Sequence, residues 1–155
     1  MCDLCFGDTL IAESCRSQDI EWTGVDVNGY FCRRASRQGF RAIEGEIFSV
    51  ELPKADVYLM AGSLYHFHDR LGPLLDRILE RTDRFLLSEP IRNMSSSGGL
   101  LGRFAKSSAD PGTGDAPFRY CESSLPEALR VEQERMGFQM RIVSTKRDML
   151  LEITR

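Results

Sequence analysis

The sequence predicts an α/β fold with a mostly parallel sheet of about seven strands and an antiparallel hairpin at the C-terminal end. Short apolar runs alternate with helical patterns over residues 1–88, which is typical of a parallel sheet with helices on both faces. The run DVYLMA at 56–61 is nearly all apolar, as a central parallel strand should be. The last two runs, at 138–144 and 148–154, are joined by a tight turn, which favours antiparallel pairing.

The other elements follow from periodicity and from end signals. Strands are predicted at the start of the chain and at 21–27, 40–43, 56–61 and 84–88. Helices are predicted at 10–17, 28–38, 71–79 and 124–136. Asn28 is a candidate cap for the second helix, and Ser124 with Glu127 forms a capping box for the last. The long polar connection at 91–118 is predicted to be an insertion or lid within one domain spanning 1–155.

The first two strands carry the pattern of a nucleotide-binding βαβ unit. Gly7 follows the first strand at a turn, a helix comes next, and the second strand ends in Asp26, 19 residues after Gly7. A small residue at the turn lets the backbone approach a ligand closely, and a carboxylate at that strand end can accept hydrogen bonds from both ribose hydroxyls. The structural alternative is that Asp26 only caps the helix that follows it.

Composition and charge narrow the classes of function. The 155 residues suffice for one domain with a substantial core, and a net charge of −3 without a basic stripe argues against nucleic acid as a partner. No apolar run reaches the length of a membrane helix and no signal peptide is visible, so we expect no membrane contact and a cytoplasmic location. The five cysteines lack framework spacing, and the Cys2–Cys5 pair lacks a second ligand pair, so we expect free thiols and no metal site.

The order of elements resembles a class I S-adenosylmethionine (SAM)-dependent methyltransferase over nearly the whole chain. The resemblance implies a Rossmann-like three-layer sandwich, with SAM as cofactor and S-adenosylhomocysteine (SAH) as its product. The segment DLCFGDT at 3–9 matches the family's acidic-x-Gly-x-Gly-x-Gly loop around the methionine part of the cofactor. Only the middle glycine is present, as Gly7. Cys5 and Thr9 occupy the other two positions, and either residue would be strained where a positive φ is needed.

The resemblance also implies which residues contact the cofactor. The end of the second strand matches the ribose-binding position, 45–47 resembles the adenine-contacting segment, and 61–67 resembles the stretch that lines the methionine and faces the substrate. The cofactor residues implied in this way are Asp3, Cys5, Gly7, Asp26, Val27, Gly45, Glu46, Ile47, Gly62, Ser63 and Leu64. For Glu46 the alternative is a solvated loop charge, and for Gly62 and Ser63 it is an ordinary strand-to-helix turn.

The acceptor side of the predicted site is rich in aromatic and titratable residues. His66 is predicted to be the catalytic base, because the ordinary pKa of histidine suits proton transfer near neutral pH, and Tyr65 is predicted to be a wall for the acceptor. A packing role is the alternative for the histidines. Glu89 ends the fifth strand and either points at the cleft or ties down the connection after it. Arg119 either binds an anionic substrate or serves solubility.

We therefore expect methyl transfer from SAM to a small-molecule acceptor. Two alternatives stay open. The altered glycine loop keeps open a methyltransferase-like binding or assembly module with weak or no catalysis. An NAD-dependent oxidoreductase would also use a βαβ unit, but the missing glycines and the C-terminal hairpin argue against it. Because the chain begins inside the first strand, we also expect an open cleft. Either a second copy or another protein covers it, or the chain binds SAM weakly and turns over poorly, unless the natural protein is longer.

Overall fold

The computed structural model describes residues 1–91 and 118–155. Its seven strands are β1 Cys2–Leu4, β2 Thr23–Asp26, β3 Arg41–Glu44, β4 Tyr58–Ala61, β5 Arg84–Pro90, β6 Gln139–Thr145 and β7 Asp148–Thr154. They form one sheet in the order β3-β2-β1-β4-β5-β7-β6. The first five are mutually parallel, whereas β7 runs antiparallel to both β5 and β6. The predicted α/β fold with a C-terminal hairpin is confirmed.

Four helices and one 3₁₀ turn connect the strands in the described residues, and a glycine follows two of these helices. The helices are α1 Leu10–Arg16, α2 Gly29–Arg37, α3 Leu71–Leu79 and α4 Ser124–Met136, with a 3₁₀ turn at Leu64–Phe67. The Asn28 side chain accepts a hydrogen bond from the Tyr30 N–H and so caps α2. Gly39 and Gly137 follow α2 and α4 with φ of +80° and +74°, a conformation that glycine adopts without a steric penalty.

The sheet separates two apolar cores, which makes the fold a three-layer sandwich. The larger core contains one side of β1 and β4 together with the leucine and isoleucine side chains of α3 and Leu125 and Leu129 of α4. The smaller core lies on the other face, where Ala12 and Cys15 of α1 and Ala35 of α2 pack around Trp22. Strands covered on both faces need apolar side chains pointing both ways, which explains the nearly continuous apolar run in β4.

The strand order reverses beside β1. The chain builds outward from β1 to β2 and β3, and then returns to build outward from β4 on the other side of β1. In open parallel sheets, a crevice forms at this switch point, outside the carboxyl ends of the strands. β1 is therefore an interior strand next to the central strand β4, although only three of its residues pair, and the residues after β1 and β4 face the crevice.

The structure differs from the sequence predictions at one helix cap and one strand boundary, and it does not describe most of the predicted insertion. The capping box at Ser124 is wrong: Ser123 occupies the N-cap position without a side-chain cap bond, and the Ser124 Oγ instead accepts from the Cys121 N–H. The predicted third strand is displaced by one residue, to 41–44. The predicted insertion or lid at 91–118 lies, except for its two end residues, outside the described residues. In the described part of the chain, no helix is long and apolar enough to cross a membrane.

Candidate functional site

A cleft of about 460 Å³ opens at the carboxyl ends of β1, β2 and β4. It lies at the switch point, where open α/β sheets bind their ligands. A larger concavity of about 1030 Å³ lies at the opposite, amino-terminal edge of the sheet and is bordered mostly by charged residues such as Asp19, Lys54 and Arg81. Position relative to the strands is a better guide to a ligand site than volume, so the smaller cleft is the candidate site.

Two residues of the loop after β1, Cys5 and Gly7, have a positive φ. Gly7 has a φ of +58°, and a Cβ atom built there would meet nothing within 4 Å, so the backbone is open to the cleft. Cys5 has a φ of +54°, which is the left-handed conformation that costs other residues about 1–2 kcal/mol. Thr9 has a φ of −107°, which any residue adopts. The strain expected for this loop is therefore present at one position, Cys5.

The side chain of Phe6 anchors the same loop to the sheet. Its ring packs edge-on against Trp22, with the ring centroids 5.2 Å apart. Both rings lie over Gly24 of β2, where an added Cβ would approach Trp22 to 2.3 Å and Phe6 to 2.5 Å. Because Gly24 has no side chain, the Phe6 and Trp22 rings can pack against β2 and hold the loop there.

Asp26 joins the loop to the start of α2. Its Oδ2 accepts a hydrogen bond from the Gly7 N–H at 3.2 Å, and its Oδ1 accepts one from the Asn28 N–H at 2.7 Å. The carboxylate is 7% exposed and borders the cleft. A carboxylate offers about four lone-pair positions, so two remain for donors from a ligand. Asp26 both holds the loop and presents acceptor capacity to the cleft.

The far end of the cleft is mainly apolar. Val27, Phe31 and the buried Ile47 border it, and the main chain of Gly45 is held by an N–H bond to the Asp26 carbonyl. The Glu46 carboxylate accepts a hydrogen bond from the Phe48 N–H at 2.8 Å and so caps its own turn. An apolar slot with fixed main-chain groups suits a flat heterocycle such as adenine.

Burial raises the pKa of two groups near β1. Asp3 is 1% exposed, and burial raises the pKa of its carboxyl to about 7, although the Trp22 Nε1–H donates to it at 3.2 Å. Burial likewise raises the pKa of the Cys5 thiol to about 12, with the charges of nearby acids adding to the effect. Asp3 therefore faces Trp22 on the α1 side of the sheet, and Cys5 gives the cleft a small uncharged wall.

The 3₁₀ turn after β4 carries the predicted base. The rings of Tyr65 and His66 lie 3.9 Å apart by centroid, and the Arg119 guanidinium sits 3.5 Å above the Tyr65 ring. Partial burial, and then the positive charge of Arg119, lower the pKa of His66. His66 borders the cleft as a neutral imidazole at neutral pH, and this is the protonation state that can accept a proton.

Glu89 lies behind this turn at the end of β5. It is fully buried, and its Oε2 accepts a hydrogen bond from the Leu64 N–H at 3.0 Å. Burial raises its pKa to about 7, against the lowering effect of the Leu64 and Tyr65 N–H groups and of the Arg119 charge. Glu89 therefore fixes the main chain of the segment that carries His66.

The structure brings most of the predicted residues to one cleft. Those that line it are Cys5, Gly7, Asp26, Val27, Gly45, Glu46, Ile47, Ser63 and His66. Asp3, Gly62, Leu64 and Tyr65 do not line it, and their contacts with a ligand stay predictions. Asn28, Phe31, Phe67 and Arg70 also line it and were not predicted. Asn28 and Phe31 follow the second strand and lie three residues apart, which places them on one side of α2. This spacing could have identified both as cleft residues.

Metal ligands are not clustered in the described residues: over 1–91 and 118–155 no group of three or more His, Cys, Asp or Glu side chains could hold an ion. The cysteines described in the structure are all free thiols.

Solved methyltransferases share this arrangement of strands. The plantazolicin methyltransferase BpumL, in complex with SAH, matches 99% of this chain and 74% of its own, with a TM-score of 0.72 and 13% identity. Human N-acetylserotonin methyltransferase, in complex with SAM, matches 100% of this chain and 47% of its own, with a TM-score of 0.70 and 20% identity. The small RNA methyltransferase HEN1 matches 99% of this chain and 22% of its own, with a TM-score of 0.75 and 12% identity. The chain has the class I methyltransferase fold.

The class I fold is common to proteins with very different acceptors. By their names, the three relatives act on plantazolicin, N-acetylserotonin and small RNA. The chain spans about half the length of the human enzyme and less of the RNA enzyme. No protein-family model and no curated protein matches the sequence. The fold therefore does not identify an acceptor for this chain.

Proposed function

We propose that the chain is a SAM-dependent methyltransferase that acts on a small-molecule acceptor. The observation that carries the proposal is the cleft at the switch point, where Gly7 and Asp26 meet through a hydrogen bond. In the class I fold this is the position of the cofactor, and the chain places there an open backbone, a carboxylate with free acceptor capacity and an apolar slot.

The residues of the cleft fit SAM group by group. The Gly7 backbone leaves room for the methionine part, since no atom lies where its Cβ would be. The free lone pairs of Asp26 suit the two ribose hydroxyls, and the slot beside Phe31 and Ile47 suits adenine. Cys5 has a positive φ of the kind that glycine adopts freely, which supports a loop shape compatible with the cofactor despite the substitution.

The protein's part in the reaction is positioning and proton transfer. When bound, SAM supplies a methyl group on a positively charged sulfur; an acceptor lone pair bonds to the methyl carbon while the carbon–sulfur bonding pair stays on sulfur. The loop after β1 and the 3₁₀ turn would hold the reacting groups close together. His66, neutral because its pKa is lowered, takes the proton that a hydroxyl or amine acceptor releases.

The choice of a small molecule over nucleic acid rests on charge. Binding to a polyanion requires a basic surface that neutralises phosphates, and the net charge of this chain is −3. Arg119 borders the acceptor side, but its guanidinium covers the Tyr65 ring. A small acceptor needs only the aromatic and titratable groups around the 3₁₀ turn.

Isothermal titration with SAM, SAH and NAD tests the proposal. We expect SAM and SAH to bind and NAD not to bind. NAD binding without SAM binding would support the oxidoreductase alternative, and binding of none of the three would contradict a cofactor role for the cleft. SAM binding without methyl transfer to any small molecule in a broad acceptor screen would instead favour the binding-module alternative.

A pair of carboxylate variants controls the titration. Asp26→Asn removes the charge at the proposed ribose site, whereas Glu134→Gln removes an exposed charge on α4, away from the cleft. We expect the first change to weaken SAM binding and the second to leave it at the parental value. Equal weakening by both would indicate a general effect of net charge and would contradict a specific role for Asp26.

A further inference from the structure

One buried oxygen on the acceptor side has no partner among the described residues. Glu89 uses its Oε2 for the Leu64 N–H, but its Oε1 is buried and makes no hydrogen bond there. Buried acceptors in folded proteins are nearly always satisfied, because leaving one unpaired is costly. An unpaired carboxyl oxygen at this depth therefore requires an explanation.

A purely structural role explains only half of the side chain. Holding the Leu64 N–H needs a single oxygen, which the amide of a glutamine would provide without burying an ionisable group. The nearby Tyr65 N–H lowers the pKa of the same carboxyl, but Oε1 makes no hydrogen bond with it or with any other described residue, so the second oxygen is left unpaired in such a role. A use appears if Oε1 meets a hydrogen-bond donor that belongs to a bound molecule.

The surroundings of Glu89 are aromatic. Tyr120, which is 2% exposed, lies within electrostatic reach of its carboxylate, and burial together with that charge raises the pKa of Tyr120 to about 12. Phe118 packs edge-on against Tyr120 at 4.9 Å and stacks on His68 at 4.2 Å between ring centroids. Rings that pack on one another in this way offer flat apolar walls to a planar molecule.

The Arg119 charge acts on both Glu89 and the predicted base, His66. The guanidinium lies on the Tyr65 ring, and its positive charge lowers the pKa of both His66 and Glu89, whereas Asp148 acts on Glu89 in the opposite direction. Glu89 binds the main chain of Leu64, and His66, which borders the cleft, lies two residues further along the same 3₁₀ turn. The Glu89 carboxyl therefore lies directly behind the turn that carries His66.

We propose that Glu89 Oε1 accepts a hydrogen bond from the methyl acceptor, and that this acceptor is a planar aromatic molecule carrying a hydroxyl or an amine. The inference rests on the proposed function and adds the chemical class of the acceptor. Glu89 acts here by binding: it orients the acceptor through a donor group, which need not be the group that is methylated, while His66 takes the released proton.

Two fluorinated probes test this directly on the chain saturated with SAH. 4-Fluorophenol can donate a hydrogen bond, and 4-fluoroanisole has the same ring but no donor. Their binding is measured by ¹⁹F relaxation at about pH 8.5, where a carboxyl with a pKa of about 7 is ionised. We expect 4-fluorophenol to bind about tenfold more tightly or better, as for a hydrogen bond to a charged group.

Variants of the carboxyl then assign the preference to one atom. Glu89→Gln keeps the side-chain volume and an oxygen for the Leu64 N–H but places an NH₂ group where Oε1 was, so the preference for the phenol should disappear. Glu134→Gln should leave the preference unchanged. Thermal unfolding confirms that each variant is folded, and the comparison of the two probes on the parental chain stands without any variant.

The outcomes separate this inference from the proposed function. Equal binding of the two probes, no binding of either, or a preference that persists in Glu89→Gln would overturn the role of Glu89. Titration of SAH is measured separately. A chain that fails to bind SAH contradicts the methyltransferase proposal, while the two probes, repeated without SAH, still report on Glu89. A chain that binds SAH and shows no preference contradicts the Glu89 role alone.

Discussion

Replacing Asp26 by asparagine should weaken SAM binding and, to a smaller extent, the fold. The carboxylate accepts two main-chain hydrogen bonds, from Gly7 at 3.2 Å and from Asn28 at 2.7 Å. Asparagine has one oxygen, which can keep the shorter bond to Asn28, while its NH₂ group then faces the Gly7 N–H. Losing one bond to a charged acceptor predicts a decrease of about 1–2 kcal/mol in the free energy of unfolding.

The effect on binding should be larger, because two donors are affected. The ribose hydroxyls lose a charged acceptor, and the Gly7 loop loses the bond that holds it. A hydrogen bond to a charged group contributes about 1.5–3 kcal/mol, so SAM affinity should fall by about ten- to a hundredfold. Asp26→Ala is less informative, because it leaves both N–H groups without a partner and its loss of stability, about 2–4 kcal/mol, would rival the loss of binding.

Denaturant unfolding and isothermal titration measure the two effects separately. Titrations are run where both proteins are fully folded, so that lower stability does not lower the apparent affinity. Ile78→Val serves as a matched control, because Ile78 is fully buried in α3 and the change costs a similar amount of stability, about 0.5–1.5 kcal/mol, without touching the cleft. Parental SAM affinity in a destabilised Asp26→Asn would reduce Asp26 to a structural cap and refute the ribose assignment.

Three further predictions address the base, the buried acid and the strained loop. His66→Ala should lower turnover of a hydroxyl or amine acceptor about 10²–10⁴-fold with SAM affinity unchanged, and unchanged turnover would make His66 a packing residue. The pKa of Asp3 is raised to about 7 in the folded chain, whereas the unfolded chain releases the same proton from about pH 4 upward. The stability that this proton contributes is therefore complete below pH 4 and is lost as the pH rises to about 7. Asp3→Asn should therefore be more stable than the parent at pH 8, by about 1–3 kcal/mol, with the difference vanishing near pH 4; a constant difference would exclude titration of Asp3. Cys5→Gly should melt at a higher temperature than Cys5→Ala, the reverse of the order in a regular strand, because only glycine relieves the positive φ.

Local sequence patterns predicted the framework of the site well. The spacing between Gly7 and Asp26 places both at the carboxyl edge of neighbouring parallel strands, and this follows from strand periodicity alone. The leucine pattern of α3 predicted its buried face, since apolar residues at helical spacing must share one side of the helix. Such features depend on residues that are near each other in the chain.

Features that depend on distant contacts could not be predicted in the same way. The raised pKa of Asp3 depends on burial against Trp22, and the hydrogen bond accepted by Glu89 Oε2 depends on Leu64, 25 residues earlier in the chain. The predicted capping box is wrong for a related reason. Ser124 has the right spacing from Glu127, but its hydroxyl oxygen accepts a hydrogen bond from the Cys121 N–H instead of capping α4. A sequence motif indicates which hydrogen bonds a side chain could form, whereas the packing of distant residues determines which of them it forms.

The glycine in β2 has a consequence for how the cofactor loop responds to binding. Because nothing projects from Gly24, the rings of Phe6 and Trp22 can seat the loop against the sheet before any ligand arrives. A loop that is already seated loses little conformational entropy on association, so binding should resemble entry into a rigid socket, with a heat-capacity change no larger than the buried apolar surface accounts for. Gly24 thereby influences cofactor affinity without lining the cleft, because it lowers the conformational entropy that the loop loses on binding.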